Sequence, residues 1–521
     1  MVGARPLLTD YHLRHAFISQ WPLALRAADS SYLSNDPYIC EMQVLSVRTL
    51  PAYINAALAS LIGFDGAILT QHLLALSAVA WAAWIVARRA FGASELAALF
   101  AVMLVLFARP GFFGNGLEAS DSAVGLPREM AKAFSLLTLA FWLTRRWTPM
   151  AFAFLGAAVF QGAYAVGLGL VLCAAHFASV PARVSPLTRI ALALAVIVVS
   201  LAAVALLERL VIGPADDLVR IIAEFRNPHH LLWSHMSAEQ YLRIFLIAGA
   251  ALFLLVTLGG SGNRALLVCA GVMALSFTVF MLVDPFATRL GMGLQGGRLL
   301  FILPFFAIAA GVTVFDRFLL GRYPDLYSRI QKAAQAAGSS LATKLVALVA
   351  VVGAAVILFA PFLSVSANRL AKQAGYAPRD LLGRNSGSRD KRAIARAMRA
   401  LPADALVLAP PHFGPLRFIA ERALYVDFQA WSFPAPRAWA ARMEKAYGPL
   451  ERPGGSNWQP RAIAAWANTP CPELLARAAR LGATHVVVMN LGEGCPAPVF
   501  SRGRYSVLST GQPGVRSCTP Q

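Results

Sequence analysis

The chain has 521 residues, of which 58% are hydrophobic and only 14% charged, with a mean hydropathy of +0.59 and a formal net charge of +20. That apolar content exceeds what one soluble core can bury, which excludes an ordinary soluble globular protein and requires the excess to face lipid. No P-loop, GxSxG, HExxH or dinucleotide fingerprint occurs, so the common soluble-enzyme classes are excluded as well.

In chain order, Met1 to Arg48 has no apolar stretch of spanning length and no charged-then-apolar leader pattern. Residues 1–50 therefore read as an outer loop region. Two readings stay open: the chain starts in an extramembrane loop, or, as preferred here, a first span precedes Met1. A span needs roughly 20 apolar residues. Gly66 to Ala87, Leu187 to Val211, Tyr241 to Leu258, Ala265 to Val283, Leu299 to Phe315 and Ala342 to Leu363 approach or exceed that length. Ser94 to Ala108 and Glu129 to Thr144 are shorter candidates. Pro149 to Val180 is too long for one span, and Gln161-Gly162 divides it into two short helices. About ten membrane segments are expected over residues 51–363.

Orientation follows from short-loop Lys and Arg, which stay on the cytoplasmic side. Arg88-Arg89, Arg145-Arg146, Arg183 with Arg189, Arg264, and the set from Arg317 to Lys344 fall in alternate connections. The intervening connections hold Glu118, Asp121, His229 and His230 and should face outward. Residues 364–521 follow as an extracytoplasmic domain, although they carry 21 Lys and Arg against 9 Asp and Glu, a net of +12. Long domains translocate largely regardless of charge. The excess is read as a solvated surface, with binding of phosphates, lipid headgroups or acidic glycans as the alternative.

The tail alternates helix and strand, as a small α/β domain with parallel strands would: Asp390 to Leu401 helix, Ala405 to Ala409 strand, Arg417 to Arg422 helix, Leu424 to Asp427 strand, Pro436 to Ala446 helix, Glu473 to Leu481 helix, His485 to Met489 strand. Pro411, His412, Arg417 and Asp427 fall at strand ends, where ligands commonly bind. Cys471 and Cys495 flank one helix-strand unit and are the expected disulfide, with free thiols as the alternative.

Polar residues gather next to the membrane on one side: Asp29, Asp36, Glu118, Asp121, Arg128, Glu129, His229, His230 and Arg298 among them. Ionisable groups at membrane depth usually line a cavity or pathway. Carboxylates there suit a general base or a divalent metal, for which Asp36, Glu118 and Asp121 are candidates, and His and Arg suit a phosphate leaving group. Helix capping and loop solvation are the plainer uses of the same residues.

The order of elements resembles the GT-C superfamily of membrane glycosyltransferases. More closely, the chain resembles a bacterial family of multi-spanning proteins with a C-terminal domain of unknown function. The resemblance rests on Asp29 to Tyr38, Pro127 to Lys132, Phe225 to His230, and Leu401 to Pro411 with Arg417, Arg422 and Tyr425-Val-Asp427. It implies a multi-pass protein of the bacterial inner membrane, a polyprenyl-phosphate sugar donor, and a glycan or lipid acceptor of the envelope. Nucleic acid is not an expected partner. It also implies that an acidic residue of the first outer loop, Asp36 or Asp29, is the catalytic base or a metal ligand. Arg128, Glu129, His229, His230 and Arg298 would contact substrate. A transporter or flippase, or a non-catalytic envelope-binding protein, are the alternatives.

Overall fold

The computed structural model describes residues 14–42, 48–107, 127–179, 185–211, 215–226, 238–283, 288–329 and 386–514, apart from residues 295, 326–327, 412, 414–415, 429, 433 and 451–454. Glu118, Asp121, His229, His230 and the expected span from Ala342 to Leu363 lie outside the described residues.

The N-terminal region is helical where a loop is expected. Helix α1 (Arg14–Ala28) buries Trp21, and the short α2 (Pro37–Glu41) buries Tyr38 and Ile39. Helices α3 (Thr49–Phe64) and α4 (Gly66–Ala90) follow. Asn55 and Gln71 are 16 residues apart, about 24 Å along a straight helix, yet Gln71 Nε2 donates to Asn55 Oδ1 at 2.6 Å. The chain must therefore fold back between them. Gly63 does this, with φ 74° and ψ 169°, a conformation open essentially only to glycine.

Next come α5 (Glu95–Phe107), α6 (Pro127–Leu143), α7 (Trp147–Phe160), α8 (Gly162–Ser179) and α9 (Pro186–Val211). The break between α7 and α8 falls at Gln161, whose backbone is extended. The Trp147 and His176 rings meet edge to face at 6.1 Å, so this pair of helices goes out and returns to the same side. A one-turn helix at Asp216–Leu218 and a π-helix at Val219–Arg226 lead toward α10 (Ala238–Leu258), α11 (Ser261–Val283) and α12 (Ile302–Arg322), the last preceded by short helical turns at Arg289–Leu294 and Gly296–Leu299.

Among the described residues, six helices are long and apolar enough to cross a membrane, and Thr49–Phe64, Glu95–Leu106 and Trp147–Phe160 are shorter apolar helices. Helix α6 is almost wholly buried but carries Arg128, Glu129 and Lys132 in its first turns. Helices α9 and α10 expose Leu210, Val211, Leu246 and Phe253, as lipid-facing helices do, whereas α11 and α12 are central and mostly buried. Gly156 of α7 lets the Phe134 ring of α6 approach closely; a Cβ there would sit 2.8 Å from the ring.

The tail comprises α13 (Ser386–Ala397), β1 (Leu406–Leu408), a short helix at Leu416–Ile419, β2 (Ala423–Leu424), α14 (Pro436–Tyr447), α15 (Gly455–Asn468), α16 (Cys471–Arg480), β3 (His485–Met489), β4 (Phe500–Arg502) and β5 (Tyr505–Ser509). The strands form one sheet in the order β2-β1-β3-β5-β4. The β2-β1-β3 part is parallel, but β5 runs antiparallel to β3 and to β4, so the sheet is mixed rather than all-parallel. The reason is a hairpin turned at Gly503 (φ 56°), which adds two strands without a crossover helix. Two buried indoles of the tail have partners: Trp439 Nε1 donates to the Asp427 carbonyl at 3.0 Å and Trp466 Nε1 to the Val487 carbonyl at 3.1 Å. Cys471 and Cys495 are joined as a disulfide with Cα atoms 5.5 Å apart, and Cys40 is disulfide-bonded as well.

Candidate functional site

The first acidic loop comes to rest against the tail. Asp36 ends an extended segment (φ −83°, ψ 120°) and caps α2: its Oδ1 accepts from the Tyr38 and Ile39 amides at 3.0 and 3.2 Å. Its Oδ2 accepts from Arg417 Nε at 2.7 Å and from the Leu424 amide at 2.8 Å. A carboxylate offers about four lone-pair positions, and four N–H groups surround this one, which is 0% exposed. Its lone pairs are occupied in this arrangement, and the structure uses Asp36 as a clasp between loop and tail. The expectation that it deprotonates an acceptor would require this clasp to open.

Arg417, also buried, stacks over the Tyr38 ring at 5.3 Å. Burial works against its charge, but Asp36 and Asp427 outweigh burial and hold its pKa above the ordinary guanidinium value. Arg417 and Asp427, paired in the sequence reading as strand-end residues, thus do come together, in a structural role; His412 lies outside the described residues. Asp29 is exposed, and its Oδ1 accepts from the Ser31 amide at 2.8 Å and hydroxyl at 2.6 Å. Those hydrogen bonds lower its pKa, the hydroxyl bond most, which makes it a weaker base.

A seam of buried polar groups continues from there. Tyr38 Oη donates to the Ser19 carbonyl at 2.8 Å and accepts from Arg48 Nη1 at 2.7 Å. Arg226 lies over the Phe428 ring at 4.7 Å, and burial pulls its pKa down to about 10 against the opposing pull of Asp427.

A second cluster lies within the helical bundle, where α6 meets α4. Glu129, buried in the first turn of α6, is in hydrogen-bond contact with His72 Nδ1 of α4. Gln71 beside it is tied to Asn55 across the α3–α4 hairpin. Lys132, one turn after Glu129 on the same helix, is buried with its Nζ 5.4 Å from the Phe301 ring. Phe301 contacts the Tyr164 ring at 6.0 Å, and the Arg298 guanidinium lies over that ring at 5.8 Å. Two aromatic rings thus connect the two cations. Arg128, half-buried, precedes Glu129 on α6.

Of the expected site residues, Arg128, Glu129 and Arg298 fall in or beside this cluster, while Asp29 and Asp36 belong to the loop–tail junction. His72, Asn55, Gln71, Lys132 and Tyr164 were missed as site residues. The signal available was Gln71-His72 as a polar pair inside an apolar span, since such groups are costly there unless partnered. Among the described residues, no three His, Cys, Asp or Glu side chains converge as a metal site would require.

Comparison with known proteins places a domain of unknown function, DUF6798, at residues 389–446. No curated protein matches the chain. Several solved structures align with the chain, among them the following two. The oligosaccharyltransferase of Archaeoglobus fulgidus, crystallised with a tethered acceptor peptide, is 11% identical with a TM-score of 0.49 over 91% of this chain; the match spans 65% of that enzyme. ArnT from Cupriavidus metallidurans, crystallised in the apo state, is 16% identical with a TM-score of 0.45 over 97% of this chain and 94% of its own length.

Proposed function

We propose that the chain is a membrane glycosyltransferase that moves a sugar from a polyprenyl-phosphate donor to an acceptor hydroxyl, with the Glu129–His72 pair at the reacting centre. The donor class comes from the sequence resemblance. The carrying observation is a buried carboxylate paired with a partly buried imidazole, one helical turn from a buried Lys, inside the helical bundle.

An imidazole held by a carboxylate can serve as a general base, because the carboxylate fixes the ring's orientation. His72 takes the acceptor proton as the acceptor oxygen bonds to the anomeric carbon. The bond from that carbon to the donor phosphate breaks, and the phosphate leaves with the electron pair. Lys132, Arg298 and Arg128 meet its charge. On this reading the outer face of a bacterial inner membrane is the place of reaction, and the tail lies on that side.

The test is transfer of labelled sugar from a polyprenyl phosphate by the full-length protein in liposomes. Glu129→Gln and His72→Ala should each lower transfer by about 10²–10⁴-fold at unchanged folded yield. Wild-type rates in both variants would overturn the assignment.

A further inference from the structure

Helix α9 runs from Ile190 to Leu207 without a charged residue and then places a carboxylate, Glu208, near its C-terminal end. A carboxylate at the edge of an apolar span is costly unless it is partnered. The Glu208 side chain is 11% exposed; its Oε1 accepts from the Arg289 amide at 2.6 Å and its Oε2 from the Leu290 amide at 3.0 Å. These two amides open the short helical turn at Arg289–Leu294, and the first four N–H groups of a helical segment have no partner within it. Thr288 settles the other two: its own amide donates to the Leu282 carbonyl at 3.2 Å, and its Oγ1 accepts from the Gly291 amide at 3.2 Å. Thr288 is thus an ordinary N-cap, and the two amides between are met from a different helix.

The rest of the turn is packed closely. Met292 is buried with Val283 of α11 and with Val219 and Ala223 of the π-helix that follows α9. Gly291 lies so near Val283 that a Cβ would sit 2.8 Å from its Cγ2. Downstream, the chain reaches the proposed centre. Arg298 lies over the Tyr164 ring of α8 at 5.8 Å, and Leu299 fills the space left by Gly167 of α8, where a Cβ would meet Leu299 at 3.1 Å. The stretch that presents Arg298 is therefore held at its start by α9, through Glu208, and at its end by α8. A carboxylate that takes one amide on each oxygen fixes orientation as well as distance, as two-point hydrogen bonding does generally.

We propose that Glu208 is a positioning residue for sugar transfer: by fixing the turn at Arg289–Leu294 against α9, it holds Arg298 where the donor phosphate leaves. This rests on the role given to Arg298 above and adds the residue that acts through it. Glu208 itself touches no reacting atom. It restricts the approach of Arg298 to one geometry, so the guanidinium need not reorganise as charge develops on the phosphate.

The test uses the full-length protein, in liposomes for labelled-sugar transfer and in detergent for hydrogen exchange and for retention of decaprenyl phosphate in native mass spectrometry. Glu208→Ala should speed exchange at the Arg289 and Leu290 amides and lower kcat/KM for the donor by about 10–10²-fold at unchanged KM for the acceptor. Arg298→Met should lower it comparably, and the double substitution no further than Arg298→Met alone, because the first acts through the second. Glu208→Gln, which keeps one acceptor oxygen, should lose less, and it carries the same comparison where Glu208→Ala does not fold. A merely structural Glu208 would cut folded yield and leave kcat/KM per folded molecule at the wild-type level. That result, additive losses in the double variant, or unchanged exchange would each overturn the proposal. Lipid retention separates it from the reading on which it rests. Absence of transfer by the wild type, with retention that Glu208→Ala and Arg298→Met each weaken about tenfold or more, removes the transfer reaction and supports Glu208 as the positioning residue of a lipid-phosphate site. Neither transfer nor retention overturns both.

Discussion

Removing either member of the Asp36–Arg417 pair leaves the other charge buried without its ion-pair partner, a change that typically costs about 3–5 kcal/mol. Arg417→Met and Asp36→Asn should therefore reduce thermal stability and folded yield, while sugar transfer per folded molecule persists; full-length yield set beside transfer rate distinguishes the two effects. Normal folding with abolished transfer in Asp36→Asn would instead restore Asp36 as the base. Elsewhere, His485 is buried at the start of β3 with its Nδ1 2.8 Å from Thr484 Oγ1, and burial lowers its pKa below the ordinary value. The unfolded chain then binds more protons than the folded one below about pH 6.5, so the His485 contribution is complete above that pH and lost as pH falls through the lowered folded value. Thermal melts from pH 8 to pH 5 should show a decline that His485→Gln reduces. Residues such as Asp36 show what sequence leaves hidden. Its acidity and loop setting are legible, but its partner lies 381 residues away, and no local pattern encodes that pairing.

Local patterns carried the elements further than the contacts. The Gln161 break, the start of a span at Gly66 and the limits of β3 are all legible, because apolar run length and Gly placement mark them. Helix α15 was not, since Pro460 interrupts it and its first residue is Gly455. The β4–β5 hairpin was missed because its strands are short and β4 is largely exposed. The helical hairpin at Gly63 was also hidden, because one glycine within an apolar sequence reads as a tolerated helix residue. Two glycines make a test of this element. Gly63→Ala has open space for its Cβ but the wrong backbone region, and should destabilise by about 1–3 kcal/mol. Gly249→Ala in α10 also has open space and a helical backbone, and should be neutral or stabilising by up to about 1 kcal/mol. Hydrogen exchange at residues 55–71 should rise in the first variant only.

For the whole molecule, the tail is fastened at both polar segments that reach it. Arg442 forms a bidentate, largely buried pair with Glu41 at 2.6 and 2.8 Å, and Arg437 an exposed one with Asp217 at 2.5 Å. Phe225, from the π-helix after α9, packs into the tail core against Trp458 at 5.0 Å and Phe428 at 5.7 Å. That plug outweighs the exposed ion pair, which contributes about 0–1 kcal/mol. Phe225→Ala should loosen the tail by about 3–5 kcal/mol, visible as faster proteolytic release of a tail fragment, whereas Asp217→Asn should leave release almost unchanged. The clasp at Asp36 also sets a timetable. A ribosome adding about 5–20 residues per second needs roughly 20–80 s to make the 381 residues between Asp36 and Arg417. Throughout that interval Arg417 does not yet exist for the carboxylate to meet, so the first loop is seated among the last parts of the protein, by the arrival of the end of its own chain.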